Sequence, residues 1–179
     1  MSIRTFAVAS FTTEAVADTT NMTDNAHMNL QGGSSTQRTK IVEVYAGGLE
    51  ASTSSPQKLL LARDSTIGAT LTSLTTGQSD TPDDPATAAL SAPVVPFTAS
   101  TTKCQRAKAY LANLAFNAIG GIVRLRFPEG QEPTMLGNTA SNGEVSLSGF
   151  TGTTAALIGA HIKYETLVML LAVGLSAWV

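Results

Sequence analysis

The sequence predicts an all-β protein: a single-domain β-sandwich of jelly-roll type with an extended N-terminal arm and an apolar C-terminal tail. Three observations favour this class. Segments rich in β-branched residues recur, apolar and polar side chains alternate within them, and Gly, Pro and Asn punctuate the intervals between them. About eight to ten strands with frequent turns are typical of a sandwich or jelly roll.

The N-terminal third begins with a predicted strand at residues 4–10, where Phe6 and Val8 alternate with smaller or polar neighbours. Residues 11–25 are polar, with no apolar stripe, and are predicted to form the extended arm. A short strand is predicted at residues 28–30, before a Gly-Gly-Ser-Ser stretch.

The remaining chain is organised around two predicted strands, residues 38–46 and 58–63. In the first, one face is expected to carry Val42, Val44 and Ala46, and the other Thr39, Ile41, Glu43 and Tyr45. Gly47-Gly48 is expected to end that strand, as a bend where the backbone needs room. Because successive strands usually lie side by side, the two are predicted to pair at the centre of the sandwich.

Residues 65–74 suggest a strand with a bulge or bend, and residues 75–96 form the longest irregular region, with one possible helical turn at 86–90. A loop of this length is usually functional or held by a partner. Its three aspartates, Asp80, Asp83 and Asp84, lack the spacing of a calcium loop, so an ordinary acidic turn is the simpler interpretation.

Residues 101–117 fit either a helix or a strand, and the strand is favoured by the turn predicted at 117–121 and the strand predicted at 122–127. In that next strand Val123, Leu125 and Phe127 alternate with Ile122, Arg124 and Arg126. The two arginines could meet carboxylates of another chain, with Glu43 as a candidate, although solvated arginine is the simpler interpretation.

Short strands are predicted at residues 134–136 and 144–147, separated by a loop that contains a turn-forming Asn142-Gly143 pair. The last strand, residues 157–164, is expected to place Ile158, Ala160, Ile162 and Tyr164 on one face. His161 and Lys163 then fall on the polar face, where His161 is expected to be a surface side chain.

The C-terminal tail, residues 167–179, is predicted to be a unit distinct from the β-sandwich of residues 1–166. It carries no charge and is shorter than the ~20 residues of a membrane helix. We expect it to be buried at a protein interface through Leu167, Leu170, Leu171, Leu175 and Trp178. Helix is favoured locally at 165–171; the alternative is one more core strand.

Few charges and many small hydroxyl residues suit a surface largely covered by other protein, and they also suit an extracellular β protein. Charged residues make up 13% of the chain, the net charge is −2 and the cations are scattered, which argues against nucleic acid. Cys104 is the one cysteine, and His27 and His161 lie in unrelated contexts, so no Cys–His pair is expected. We therefore predict no catalytic, cofactor or metal site, and no membrane span. The N-terminus lacks the apolar core of a signal peptide, which predicts synthesis in the cytoplasm of the producing cell.

Several segments resemble small β-rich virion proteins of tailed bacteriophages that decorate or cement the capsid. They are residues 4–7 (RTFA), 29–34 (NLQGGS), 40–48 (KIVEVYAGG), 61–66 (LARDST), 114–121 (LAFNAIGG), 136–141 (LGNTAS) and 161–165 (HIKYE). The resemblance spans residues 4–165 and excludes the apolar tail.

This resemblance implies a homotrimer on the capsid exterior that binds the major capsid protein and stabilises the head by lying between shell subunits. The alternatives are another virion component, such as the shell subunit, a head-fibre base or a tail part, and a carbohydrate-binding β-sandwich. A lectin usually presents exposed aromatic side chains, and the one tryptophan, Trp178, lies in the tail.

Overall fold

The computed structural model describes residues 4–10, 26–31, 37–52, 54–64, 72–73, 77–78, 95–98, 107–136, 144–149 and 156–168. All regular structure in these ranges is β-strand, which confirms the predicted all-β class. The strands are β1 (Arg4–Ser10), β2 (Ala26–Gln31), β3 (Gln37–Leu49), β4 (Pro56–Asp64), β5 (Thr72–Ser73), β6 (Gly77–Gln78), β7 (Val95–Thr98), β8 (Ala107–Asn117), β9 (Ile119–Arg126), β10 (Thr134–Leu136), β11 (Glu144–Gly149) and β12 (Ile158–Val168).

Two antiparallel sheets form the sandwich. Sheet A has the order β10-β3-β12-β1-β6, and β9 also pairs with β3. Sheet B has the order β5-β7-β2-β11-β4-β8. Arg63 of β4 joins the sheets by donating a hydrogen bond of 2.6 Å to the carbonyl oxygen of Thr134 in β10.

The eight longer strands are wound as a jelly roll. In chain order they are β1, β2, β3, β4, β8, β9, β11 and β12, and they pair from the outside inward: β1 with β12, β2 with β11, β3 with β9 and β4 with β8. This nested antiparallel pairing folds one long ribbon of strands into two sheets, as in double-sheet jelly rolls. The predicted jelly-roll sandwich is therefore confirmed.

The predicted pairing of the two central strands is wrong. β3 lies in sheet A beside β12, whereas β4 lies in sheet B between β11 and β8. The ribbon of strands crosses from sheet A to sheet B between β3 and β4, so the general preference for pairing neighbours fails at this connection.

The predicted faces of β3 are also corrected, because this strand contains a bulge at Val42. Glu43 pairs with Lys163 and Ile41 with Tyr164, which leaves Val42 as an extra residue. A bulge shifts the alternation by one residue. Ile41 and Val44 are therefore both buried in the core, and β3 continues through Gly47-Gly48 to Leu49 instead of ending there.

The core lies between the sheets and is built mainly from aliphatic side chains. The predicted inner face of β12 is confirmed: Ile158, Ala160, Ile162 and Tyr164 are all buried. Tyr164 stacks on Phe6 of β1 with ring centroids 5.6 Å apart. Burial raises the pKa of the Tyr164 phenol above its ordinary value, since ionisation would place an anion in an apolar environment.

Two further strand predictions are confirmed. β8 is a strand and not a helix, with Leu114 and Phe116 buried between exposed neighbours. β9 alternates as predicted, with Ile122, Arg124 and Arg126 exposed. The tail prediction is corrected in part: β12 runs to Val168, so the favoured helix is wrong at residues 165–168.

Several predictions lie outside the described residues. They concern the arm at 11–25, the helical turn at 86–90, the aspartates Asp80, Asp83 and Asp84, the Asn142-Gly143 turn, Cys104 and the tail from residue 169 onward. Within the predicted irregular region 75–96, the described residues include β6 and the start of β7.

The passage from sheet B to sheet A occurs at one residue, Ala118, between β8 and β9. Its amide donates to the Ser55 carbonyl oxygen at 2.9 Å, and its own carbonyl oxygen accepts from the Glu50 amide at 3.0 Å. A Cβ on Gly48 would collide with the Ala118 backbone, and one on Gly121 would collide with Asn117. One glycine of each pair, Gly48 in Gly47-Gly48 and Gly121 in Gly120-Gly121, thus serves close backbone packing.

Candidate functional site

The outer face of sheet A, which points away from sheet B, carries two surface depressions, one apolar and one charged. Side chains on β12 alternate between core and outer face, so Gly159, His161, Lys163 and Glu165 lie outside. The inner positions of the same strand are buried. No group of three or more His, Cys, Asp or Glu side chains in the described ranges could hold a metal ion.

One row of this face has glycine at neighbouring positions. Gly47 of β3 lies opposite Gly159 of β12 on one side and opposite Ile122 of β9 on the other. Two adjacent positions without side chains leave a hollow in the sheet surface. In the next row Tyr45 lies between His161 and Arg124. These larger side chains border the hollow on one side.

The hollow forms an apolar groove with a volume of about 420 Å³. Its lining includes Tyr45, Gly47, Leu49, Ile122, Gly159 and His161. Leu49 and Ile122 are 53% and 63% exposed, and Ile119, 42% exposed, pairs directly with Leu49. These three are the exposed large hydrophobic side chains of the described residues, and they lie together. Such clustering is typical of an interaction site, whereas scattered exposed side chains are not.

A charged cleft lies further along the same face. It has a volume of about 300 Å³ and is lined by Thr5, Val42, Glu43, Arg124, Arg126, Lys163 and Glu165. The Arg124 guanidinium donates two hydrogen bonds to the Glu43 carboxylate, from Nε at 2.9 Å and from Nη2 at 2.8 Å. This parallel arrangement fixes both side chains in one geometry.

The ion pair changes the titration of Glu43. The hydrogen bonds from Arg124 hold the pKa of the Glu43 carboxyl below its ordinary value, against the opposing effect of burial, and the charges of Arg124, Lys163 and Arg126 act in the same direction as those hydrogen bonds. Glu43 is therefore ionised at neutral pH and neutralises part of a locally cationic surface.

The structure brings some of the predicted residues together. Glu43, the candidate partner for Arg124 and Arg126, binds Arg124 within the same chain. His161 is partly buried and lines the apolar groove, whereas the sequence analysis placed it simply at the surface. Among the predicted interface residues, Leu167 lies in β12 opposite Arg38. Leu170, Leu171, Leu175 and Trp178 are outside the described residues, and their interface role remains a prediction.

The apolar groove was not among the features predicted from the sequence. The relevant signals were present: two glycine pairs, an outward-facing Ile122 and a glycine at position 159. Only the strand register brings these positions together, because Gly47, Ile122 and Gly159 come from three strands far apart in the chain.

No stretch of the described residues forms a helix able to span a membrane. No protein-family model matches the chain, and no curated protein matches it.

The chain has distant similarity to chains of virus particles among solved structures. A chain of Israeli acute paralysis virus, from a full particle heated to 63 degrees, shares 6% identity at a TM-score of 0.31, over 94% of this chain and 68% of that one. A chain of the KBV activated particle at acidic pH shares 7% identity at a TM-score of 0.26, over 83% and 50%. A chain of the native virion of Kashmir bee virus at acidic pH shares 7% identity at a TM-score of 0.23, over 83% and 49%. This chain thus spans about half the length of the latter two. Likeness this distant carries no information about function.

Proposed function

We propose that this protein is a structural virion component that acts by binding other proteins and not by catalysis. The observation that carries the proposal is the cluster of exposed apolar side chains around the apolar groove, with Leu49 and Ile122 more than half exposed. Contiguous exposed apolar surface typically marks a site that binds a partner.

The composition supports the same role. Only 13% of the residues are charged, about half the share of an ordinary soluble domain, and residues 167–179 carry no charge. A surface largely covered by neighbouring protein needs few charges for solubility. The jelly-roll fold is compatible with this role but does not establish it, since one fold hosts many functions.

The more specific role that we propose is capsid decoration or cement. In this role the protein forms a homotrimer on the exterior of a tailed-phage head and binds the major capsid protein between shell subunits. The support is the segment resemblance over residues 4–165, together with an apolar surface that can close joints between subunits. This function requires no cofactor, and its energy comes from buried surface area.

A second candidate is the shell subunit itself. The nested pairing of β1 with β12, β2 with β11, β3 with β9 and β4 with β8 favours it, because double-sheet jelly rolls of this kind build viral capsids. The two roles differ in what they require. A shell subunit forms a closed shell from copies of itself, whereas a cement protein binds to a shell that other subunits have already formed.

Adding the purified chain to phage shells that lack it tests the cement role. We expect saturable binding, at a ratio approaching one copy per shell subunit, and a higher temperature of shell rupture. The Ile122→Asp variant should bind at least tenfold more weakly, because a carboxylate would have to be desolvated wherever the assembly, shell-bound or self-associated, covers this exposed apolar cluster. Ala115→Asp, at an exposed position on sheet B, is the matched control.

Two outcomes would contradict the cement role. Closed shells formed by the chain alone would identify it as the shell subunit. A chain that neither binds shells nor forms them would remove both virion roles, and binding to a glycan array would then favour the carbohydrate-binding alternative.

A further inference from the structure

The apolar groove and the apolar tail are complementary in chemistry. The groove lining includes no Lys, Arg, Asp or Glu. Residues 169–179 likewise carry none, and they include Met169, Leu170, Leu171, Leu175 and Trp178. Each surface would be unfavourable if left in water, and each can remove the other from it.

The distance between the start of the tail and the groove bears on whether the tail can occupy the groove of its own chain or that of another copy. β12 passes the groove at Gly159 and ends at Val168, where it pairs with Gln37. Those nine residues of strand place the start of the tail about 30 Å from the groove of its own chain. Residues 169–179 span about 40 Å at most when fully extended. A return to its own groove would thus require a full reversal and an almost straight path.

The surface along that return path is unfavourable for an apolar segment. Between the end of β12 and the groove, the outer face carries the charged cleft, with Glu165, Lys163 and the Glu43–Arg124 pair. An apolar segment lying across these side chains would desolvate them without offering opposite charges in return. The groove of a second copy can be approached without crossing the cleft.

We propose that the apolar groove of sheet A is the receptor for the C-terminal tail, residues 169–179, of a second copy of this chain. The inference rests on the proposed assembly role and specifies its contact: each copy inserts its tail into the groove of a neighbour. The tail lies against the glycine floor at Gly47 and Gly159, and Leu49 and Ile122 cover its apolar side chains. Tail exchange of this kind links the copies noncovalently, through buried apolar side chains.

Disulfide trapping tests the contact in the full-length protein. Cys104→Ser removes the one native thiol. One population then carries Ile122→Cys in the groove, and a second population, enlarged by a fused tag, carries Leu171→Cys in the tail. After co-expression and oxidation, we expect a disulfide-linked heterodimer of intermediate size. Leu170→Cys and Leu175→Cys, tested in parallel, cover the other possible registers of the tail.

The matched control places the groove cysteine elsewhere. Ala115→Cys is also exposed and lies on the neighbouring strand β8 of sheet B, outside the groove. Its yield of heterodimer should be at least tenfold lower than that of Ile122→Cys. The Ile122→Cys/Leu171→Cys double variant should form a ladder of linked copies on a non-reducing gel.

A second measurement uses the equilibrium of self-association, followed by sedimentation. Ile122→Asp should weaken it at least tenfold, whereas Ala115→Asp should leave it within twofold of the parent chain. Ile122 is 63% exposed, so the variant should keep its β-rich circular dichroism spectrum.

Three results would overturn the proposal. The double variant could close only within single chains, which would place the tail in its own groove. All tail cysteines could fail to link with Ile122→Cys. Self-association could also be unchanged by Ile122→Asp, in which case the groove would hold another partner or a small apolar ligand. If the copies become linked but the protein is absent from virions, the contact between tail and groove stands and the proposed virion role is wrong. If the protein binds shells but no copies become linked, the virion role stands and the contact is wrong.

Discussion

Replacing Gly48 with alanine is expected to destabilise the protein by about 3 kcal/mol, the upper part of the range for overpacking. An added Cβ would collide with the Ala118 and Asn117 backbone, at the point where the chain passes from sheet B to sheet A. That passage is held by hydrogen bonds from Ala118 to Ser55 and from Glu50 to Ala118, so it has little freedom to move away. Urea or thermal unfolding measures the loss.

The neighbouring glycine provides the control for this prediction. A Cβ on Gly47 would meet the Gly121 carbonyl oxygen at 3.4 Å and Ile122 Cγ1 at 3.5 Å, which is ordinary contact. Alanine also loses less backbone entropy than glycine within a strand, so Gly47→Ala should be neutral or stabilising by about 0.5 kcal/mol. Equal effects at the two positions would show that the close approach at Gly48 does not constrain the fold.

Mild acid is expected to destabilise the protein through His27. This side chain in β2 is 2% exposed, and burial lowers its pKa from 6.5 to about 4, because the charged imidazolium is poorly solvated there. Between these two values the unfolded chain binds a proton that the folded chain does not, so stability falls as the pH falls. The full loss is about 3 kcal/mol, at roughly 1.4 kcal/mol per unit of pKa difference.

The pH range from about 6 to 5 excludes most of the carboxyl effect, because ordinary carboxyl groups titrate below it. There the slope of the unfolding free energy against pH should be steeper by nearly one proton in the parent chain than in His27→Gln, which keeps the other histidine, His161. Histidine proton shifts in a nuclear magnetic resonance titration give the folded pKa directly. A His27 imidazole that titrates near its ordinary value would contradict the prediction.

Local patterns were sufficient to predict most of the strands. The alternation in β9 and the inner face of β12 followed directly from side-chain periodicity, because both strands lack bulges across the residues that carried the pattern. The strand at β8 was also correct, although its sequence fits a helix equally well. The turn predicted at 117–121 and the strand predicted at 122–127 favoured the strand; in the structure the turn is shorter and β9 already begins at Ile119.

Features that depend on long-range pairing could not be predicted in this way. The bulge at Val42 is set by the register of β3 against β12, more than a hundred residues later in the chain. The separation of β3 and β4 into different sheets follows from the winding of the whole ribbon. Neither leaves a signal in the local sequence.

The apolar groove could not be predicted from local patterns for the same reason. Its floor and walls come from β3, β9 and β12, and their spacing in the chain carries no information about their proximity. The sequence offered Glu43 only as a candidate partner for an arginine of another chain and favoured solvated arginine, whereas the structure pairs Arg124 with Glu43 within one chain. The bidentate geometry of this pair required the register that places Arg124 beside Tyr45, one row away from Glu43.

The copy number of this chain in purified virions shows whether it has a structural role in the particle. Quantitative mass spectrometry against the major capsid protein supplies it. A cement protein or a shell subunit should be present at a ratio approaching one per shell subunit. Its absence from purified particles would contradict the account, and a few copies per particle would restrict the chain to a tail or fibre component and remove the proposed cement role.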